Sequence, residues 1–326
     1  MTEDEPTTGT ATARAPARVL VTGASGFVGR HLVAELAGRG MAVTAAARRR
    51  PPAAGGPAGV ARVGGDLSRD GAAAELVRRS RPGVVVHLAA ATRSTGRPDG
   101  LGGFAGTLAT TSALVEAMTR EVPGARLIVV SSSAVYGVPD RLPVTEDAPV
   151  RPVTEYGVSK AAQELVALRA RWAGQLDVVV VRAFNLAGPG LPPHLLAGTV
   201  VAQVLAAPPD QPAVLELGNL ASRRDYVDVR DLATALAEVA GLERPPPVLN
   251  VASGRSWSGA EVVERVAALS GRAVEVRSVA ERTQAGDVPE QVGSAACLAG
   301  LTGWRPVHTF EQTLRAMLEA GEGRPR

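Results

Sequence analysis

From residue 18 onward, short apolar runs alternate with segments whose apolar residues recur every three or four positions. Val19 to Val21 open the series, and Val28, Leu32, Val33 and Leu36 follow at helical spacing. A second strand is expected over 42–47 and a third around 60–63, after the loop "RPPAAGGPAG". The stretch "GAAAELVRRS" reads as a helix leading into "GVVVHLAAA". That uninterrupted apolar run is of the kind buried on both faces of a parallel sheet. A helix near 107–120, the strand "ARLIVVSSS", a helix beginning at Tyr156 and the strand "DVVVVRAF" continue the rhythm. This alternation predicts a doubly wound parallel sheet, class α/β.

After Phe184 the rhythm changes. "NLAGPGLPPH" reads as loop, "DVRDLATALAEVAGL" as a helix capped by Asp228, and "PVLNVAS" as another strand returning to the sheet. The expected division is therefore a sheet domain over 18–185 plus 226–252, and a smaller C-terminal lobe over 186–225 plus 253–320. Residues 1–17, "MTEDEPTTGTATARAPA", lack apolar periodicity and read as a disordered tail.

Composition narrows the function classes. With 35 basic and 32 acidic residues among 326, the net charge of +3 is too balanced to argue for nucleic acid or membrane partners. No stretch reaches the ~18 apolar residues of a membrane span. The single cysteine, Cys297, excludes an internal disulfide framework and suits a reducing cytoplasm; with only four histidines, no metal site is expected.

The chemistry begins at "TGASGFVG", which places Gly23, Gly26 and Gly29 at three-residue intervals between a strand and a helix. A pyrophosphate needs a tight turn, close backbone approach and the free N–H groups of a helix N-terminus, so the turn predicts a dinucleotide site. At the end of the second strand, where an NAD site usually carries an acid, the sequence reads Ala47, Arg48, Arg49, Arg50. A guanidinium can bind a 2′-phosphate that a carboxylate would repel, which favours NADPH with Arg48 as first choice. NAD stays open, because a solvated basic loop would look the same. Asp66 after the third strand could accept from an adenine amino group or cap the next helix.

The strand "VVSSSAVYG" brings serines to the carboxyl edge of the sheet, beside the helix of "YGVSK". Tyr156 and Lys160, four residues apart, share a helix face. A nearby ammonium and a nicotinamide's positive charge would lower the tyrosine's pKa and let it exchange a proton at a carbonyl or alcohol oxygen. A serine hydroxyl would add a second hydrogen bond to that oxygen.

In order along the chain, "TGASGFVG", "VVVHLAA", "SSSAVYG", "YGVSK", "RAFNLAGPG", "RRDYVDVRD", "NVASG" and "TGWRP" resemble the extended short-chain dehydrogenases/reductases acting on nucleotide sugars. These are the NAD-dependent epimerase/dehydratase family, and the branch most similar is that of GDP-mannose dehydratase and GDP-4-keto-6-deoxyhexose reductase. The resemblance spans about residues 18–320. It implies a Rossmann fold with a substrate-binding lobe and assigns Ser132, Tyr156 and Lys160 to the catalytic positions, with Ser133 the alternative hydroxyl or a substrate contact. It extends the cofactor contacts to Ser25, Phe27 and Val28, to Leu67, and to Leu88, Ala89 and Ala90. Asn185 and Arg224, with Arg223 as an alternative, take the diphosphate-binding positions, and Arg282 is a further substrate candidate. It also implies a homodimer through the helices near 107–120 and 157–172, with Leu108, Leu114, Val115, Leu165 and Leu168 as candidate apolar positions.

One departure narrows the reaction. Dehydratases of this group carry an acid just after the catalytic hydroxyl residue; here Ser133 and Ala134 stand there, and neither can serve an elimination. Two enzyme readings remain: an NADPH-dependent 4-ketoreductase of a nucleotide-diphospho-4-keto-6-deoxyhexose, and a 4-epimerase with tightly bound NAD. A non-catalytic nucleotide-binding protein is the third class, which the presence of Ser132, Tyr156 and Lys160 opposes.

Overall fold

A computed structural model describes residues 18–49, 56–89, 101–279 and 288–322 of the chain. The apolar runs become strands β1 (Arg18–Thr22), β2 (Ala42–Ala47), β3 (Ala61–Gly64), β4 (Val84–His87), β5 (Arg126–Ser132) and β6 (Asp177–Ala183). Between them lie helices α1 (Phe27–Gly38), α2 (Ala72–Ser80), α3 (Leu101–Glu121) and α4 (Glu155–Trp172). Later elements are β7 (Asn185–Ala187), α5 (Leu196–Ala206), β8 (Ala213–Leu217), β9 (Arg223–Asp228), α6 (Val229–Gly241) and β10 (Val248–Val251). The chain continues through β11 (Ser256–Ser258), α7 (Gly259–Ser270), β12 (Val274–Ser278), β13 (Glu290–Gln291), α8 (Ala296–Thr302) and α9 (Phe310–Glu322).

A seven-stranded sheet runs in the order β10-β6-β5-β4-β1-β2-β3, with every pairing parallel. This is the predicted doubly wound arrangement. The order reverses beside β1, so the crevice at the carboxyl ends of β1 and β4 is the ligand position for such a sheet. One apolar cluster, including Val19, Leu32, Ile128 and Val179, covers one face; another, including Leu20, Leu114, Leu127 and Val178, covers the other. Strands buried on both faces explain why β4 and β6 read as unbroken runs of valine.

The later chain builds separate small sheets. Strands β11, β9 and β13 pair side by side, β7 joins β9, and β12 pairs with β8. A third apolar cluster, including Leu215, Tyr226, Trp257 and Phe310, lies beneath them. As expected, Asp228 caps α6, accepting the Arg230 N–H at 2.8 Å, and β10 returns to the large sheet.

Candidate active site

Strand β1 ends at Thr22, and α1 begins at Phe27 with Gly26 as a cap that contributes no side chain. The first turn carries no acid. Its N–H groups and the helix dipole are therefore available to an anion. Close approach of helix to turn demands glycine at 29: a Cβ there would lie 2.3 Å from the Gly23 oxygen. This cradle fits the pyrophosphate of a dinucleotide. Ser25 is exposed at the turn, while Phe27 and Val28 are half-buried. Leu88 and Ala89 run alongside, donating their N–H groups to the Thr22 carbonyl at 3.3 Å and the Thr22 hydroxyl at 3.4 Å. The Leu67 side chain is packed into the apolar core, so a cofactor contact there would fall to its backbone. Ala90 and Arg50 lie outside the described residues.

At the end of β2, the Arg48 side chain is 79% exposed, and its Nε lies 3.7 Å from Asp66 Oδ2. An ion pair so exposed holds the guanidinium only weakly. Asp66 also accepts the N–H and hydroxyl of Ser68 at 3.0 and 2.7 Å, and these bonds hold its carboxyl below the usual range. Helix α2 is instead capped at Gly71, so capping is not the role of Asp66.

Helix α4 begins one residue earlier than expected because Thr154 caps it, accepting the Gly157 N–H at 3.1 Å. Gly157 lets the helix press against the turn that follows β5: a Cβ would meet the Ala134 oxygen at 2.5 Å. This close contact sets the Tyr156 phenol beside the Ser132 hydroxyl, which favours the ionised phenol. Ser132 also accepts the Ala134 N–H at 3.2 Å. Burial of the phenol raises the Tyr156 pKa above 10, outweighing the Ser132 bond. The direction is opposite to the expected depression, because among the protein's own groups desolvation dominates. Although the residue as a whole is 40% exposed, the shift follows the deep setting of its oxygen.

Lys160 is 5% exposed and donates to the Val130 carbonyl and the Gln163 side-chain oxygen, each at 2.7 Å. Burial lowers its pKa to about 8, opposed by the negative charge of Glu164. Behind it lie Thr111 and His87, bonded at 3.1 Å, with His87 in turn 2.8 Å from the Thr22 hydroxyl. Burial, with a smaller repulsion from Lys160, pushes His87 down to about 3. The unfolded chain therefore binds the proton first as pH falls, so this stability is full above the unfolded value of 6.5 and is lost toward 3. Denaturant unfolding near pH 7 and pH 5 should show the wild type losing on the order of 2 kcal/mol more than His87→Gln. Parallel pH dependences would contradict this.

Asn185 and Arg224 come together on the second set of strands. Asn185 in β7 sits opposite Tyr226 in β9, so Asn185, Arg224 and Tyr226 share a face. Arg224 donates through Nη1 to the carbonyls of Arg223 and Val288, at 2.9 and 2.6 Å. The alternative, Arg223, is held by Glu261, Glu290 and Ser256. Ser133, the alternative hydroxyl, is 2% exposed and donates to Gln291 Oε1 at 2.7 Å. Its hydroxyl hydrogen is thus already engaged within the protein. Gln291 pairs with Arg224 in β13·β9, so this clasp ties the end of β5 to the strand carrying Arg224. With 158 residues between Ser133 and Gln291, no local signal marks the clasp. Arg282 lies outside the described residues.

The chain is similar to known proteins along nearly its whole length. The chain is 33% identical over 322 residues to dTDP-6-deoxy-L-talose 4-dehydrogenase (NAD(P)(+)) of Kitasatospora kifunensis, covering 97% of this chain and 99% of that one. The UDP-glucose 4-epimerase of Thermus thermophilus, solved with NAD, superposes with a TM-score of 0.81 at 31% identity, covering 94% and 99% of the chains. The structure of RMD from Pseudomonas aeruginosa with NADPH gives a TM-score of 0.80 at 28% identity, covering 95% and 100%. The pattern of the NAD dependent epimerase/dehydratase family matches residues 19–252, and the chain belongs to that family.

Proposed function

We propose that the protein reduces the C4 ketone of a nucleotide-diphospho-4-keto-6-deoxyhexose with NADPH. The observation that carries this reading is the Ser132–Tyr156 hydroxyl pair at the carboxyl edge of the sheet, followed by residues that cannot run an elimination. The glycine turn and the N-terminus of α1 would hold the cofactor's pyrophosphate, with Arg48 reaching a 2′-phosphate. Held there, a reduced nicotinamide would supply the hydride for the carbonyl carbon. Tyr156 gives its proton to the carbonyl oxygen, and Ser132 hydrogen-bonds the same oxygen. A phenol held above its ordinary pKa is protonated at neutral pH, the state a reduction requires of its acid. Asn185 and Arg224 would contact the diphosphate. The Kitasatospora relative, named for a 4-dehydrogenase of a dTDP-6-deoxy sugar, supports both substrate class and reaction.

A 4-epimerase with resident NAD is the second reading, favoured by the likeness to the Thermus enzyme and by Asp66 beside Arg48. To separate them, the purified protein is assayed for bound nucleotide, then mixed with NADPH and a dTDP- or GDP-4-keto-6-deoxyhexose. Stoichiometric loss of the reduced nicotinamide's absorbance, faster with NADPH than NADH, is expected. Co-purified NAD without net cofactor consumption would select the epimerase, and equal use of NADH would remove the Arg48 assignment.

The functional unit is read as a homodimer. Val158, Leu165 and Trp172 are 46%, 58% and 66% exposed at seven-residue intervals on one face of α4. Leu114, Val115 and Leu168, expected at that face, instead fill the monomer's core. A monomer in sedimentation would exclude the dimer.

A further inference from the structure

We propose that Gln163 is the positioning residue for Lys160, at the end of an internal hydrogen-bonded line running Thr22–His87–Thr111–Gln163 from the glycine turn. The inference rests on the reading of Lys160 as a group that serves the cofactor and Tyr156. Four elements contribute one residue each: β1, β4, α3 and α4. Thr22, His87, Thr111 and Gln163 have no exposed surface. The Thr111 hydroxyl reaches the Thr107 carbonyl at 2.8 Å and Gln163 Nε2 at 3.0 Å, besides His87 Nε2.

One direction of donation gives both threonine hydroxyl hydrogens an acceptor. Ala89 donates to Thr22, so Thr22 donates to His87 Nδ1. His87 Nε2–H then donates to Thr111, whose own hydrogen goes to Thr107. Thr111 also accepts from the Gln163 amide, which turns the Gln163 carbonyl toward Lys160. Every member is neutral except the lysine. Burying such a line is costly unless each group is satisfied, and no buried side-chain atom among the described residues lacks a partner.

The sheet does not need this line for continuity, since β1, β4 and β5 are already joined by backbone bonds. What it supplies is an uncharged acceptor whose position is locked from the far side. With Val130 it occupies two of the three ammonium N–H donors. The third is directed by these two, as the geometry of an ammonium requires. A carboxylate in the same place would bind the ammonium's proton more firmly; an aliphatic side chain would leave the ammonium short of an acceptor. The lysine value of about 8 accords with a neutral partner.

The groups that bear on Lys160 are few. On its own helix it is Glu164, paired with Arg182 of β6; on β4 there is neutral His87. From β5 and α3 come only carbonyls and hydroxyls.

The test follows the pH dependence of NADPH affinity by tryptophan fluorescence, which requires no sugar substrate, alongside the alkaline limb of kcat. In the wild type both should change near the lysine value of about 8. Gln163→Leu should move the transition down by about one unit and lower kcat near pH 7 about tenfold. Gln163→Glu should move it up by about one unit, because a carboxylate now faces the ammonium. Thr111→Val, which keeps the acceptor but frees its anchor, should give a smaller shift in the downward direction.

Opposite shifts from Leu and Glu cannot come from general loosening of the fold, which would act alike in both. Transitions within about 0.3 unit of wild type in both, or displaced the same way, would overturn the positioning role. Lys160→Met is the control. If it turns over normally and its NADPH affinity keeps the wild-type pH dependence, the reading of Lys160 fails. If it is inactive while both Gln163 variants match wild type, only the positioning proposal fails.

Discussion

Tyr156→Phe is expected to lower kcat by about 10²- to 10⁴-fold, the range for loss of a positioned proton donor. The variant keeps the ring and removes only the hydroxyl beside Ser132. Ser132 is half-buried and still accepts the Ala134 N–H, so the loss leaves no fully buried group without a partner. With 40% of the residue exposed, the thermal midpoint should move little. Dinucleotide affinity, set by the glycine turn and the α1 terminus, should stay within about twofold. The separating measurement is kcat alongside a fluorescence titration with NADPH. Loss of both together would point to a disturbed site, and full turnover would remove Tyr156 as the proton donor.

Arg182→Met should destabilise the fold by about 3–5 kcal/mol, the cost of stripping one partner from a buried ion pair. Arg182 and Glu164 side chains are 6% and 4% exposed and joined by Nη2 to Oε2 at 2.8 Å, with Nε reaching both carboxylate oxygens. Arg182 also lies 4.8 Å over the Tyr136 ring and donates to its hydroxyl at 3.0 Å. Glu164 in turn accepts the Ser131 hydroxyl at 2.5 Å. Methionine fills much of the volume but leaves the buried carboxylate without its guanidinium, with the Ser131 hydroxyl as its remaining hydrogen-bond donor. Denaturant unfolding should show the full deficit, and the double variant Arg182→Met/Glu164→Leu should recover much of it, since neither member of the pair is then left charged without its partner. A deficit below about 1 kcal/mol in the single variant would mean that water reaches Glu164.

The Ser131–Glu164–Arg182 network shows where reading the chain reached its limit. Ser131, Ser132 and Ser133 are identical letters on one strand end. Backbone alternation and the turn after β5 give them three different fates: Ser131 bonds Glu164, Ser132 meets Tyr156, and Ser133 is clasped by Gln291. Choosing Ser132 from the sequence relied on motif spacing. The burial that removes Ser133 from contact depends on a residue far away in the chain.

Local rules made the architecture legible. A strand buried on both faces must be apolar throughout, and a helix on that sheet must repeat its apolar positions every three to four residues, so β1 to β6 could be drawn before any coordinates. Gly29 was equally readable, because helix and turn approach too closely for a Cβ. That Tyr156 and Lys160 share a helix face followed from helical period; their assignment as a pair in the site drew on the order of motifs around them.

Tertiary structure alone decided the electrostatics and the groups that stand behind the site. Whether the Tyr156 phenol rises or falls in pKa depends on the balance of burial against neighbours, and burial won. Whether Arg48 stands alone depends on β3 delivering Asp66 within 3.7 Å. The line from Thr22 to Lys160 joins β1, β4, α3 and α4, and no spacing along the chain records it. Period and sterics act between neighbours in sequence, so the letters carry them. Desolvation and hydrogen-bond partnership act between neighbours in space, and only the folded chain specifies those.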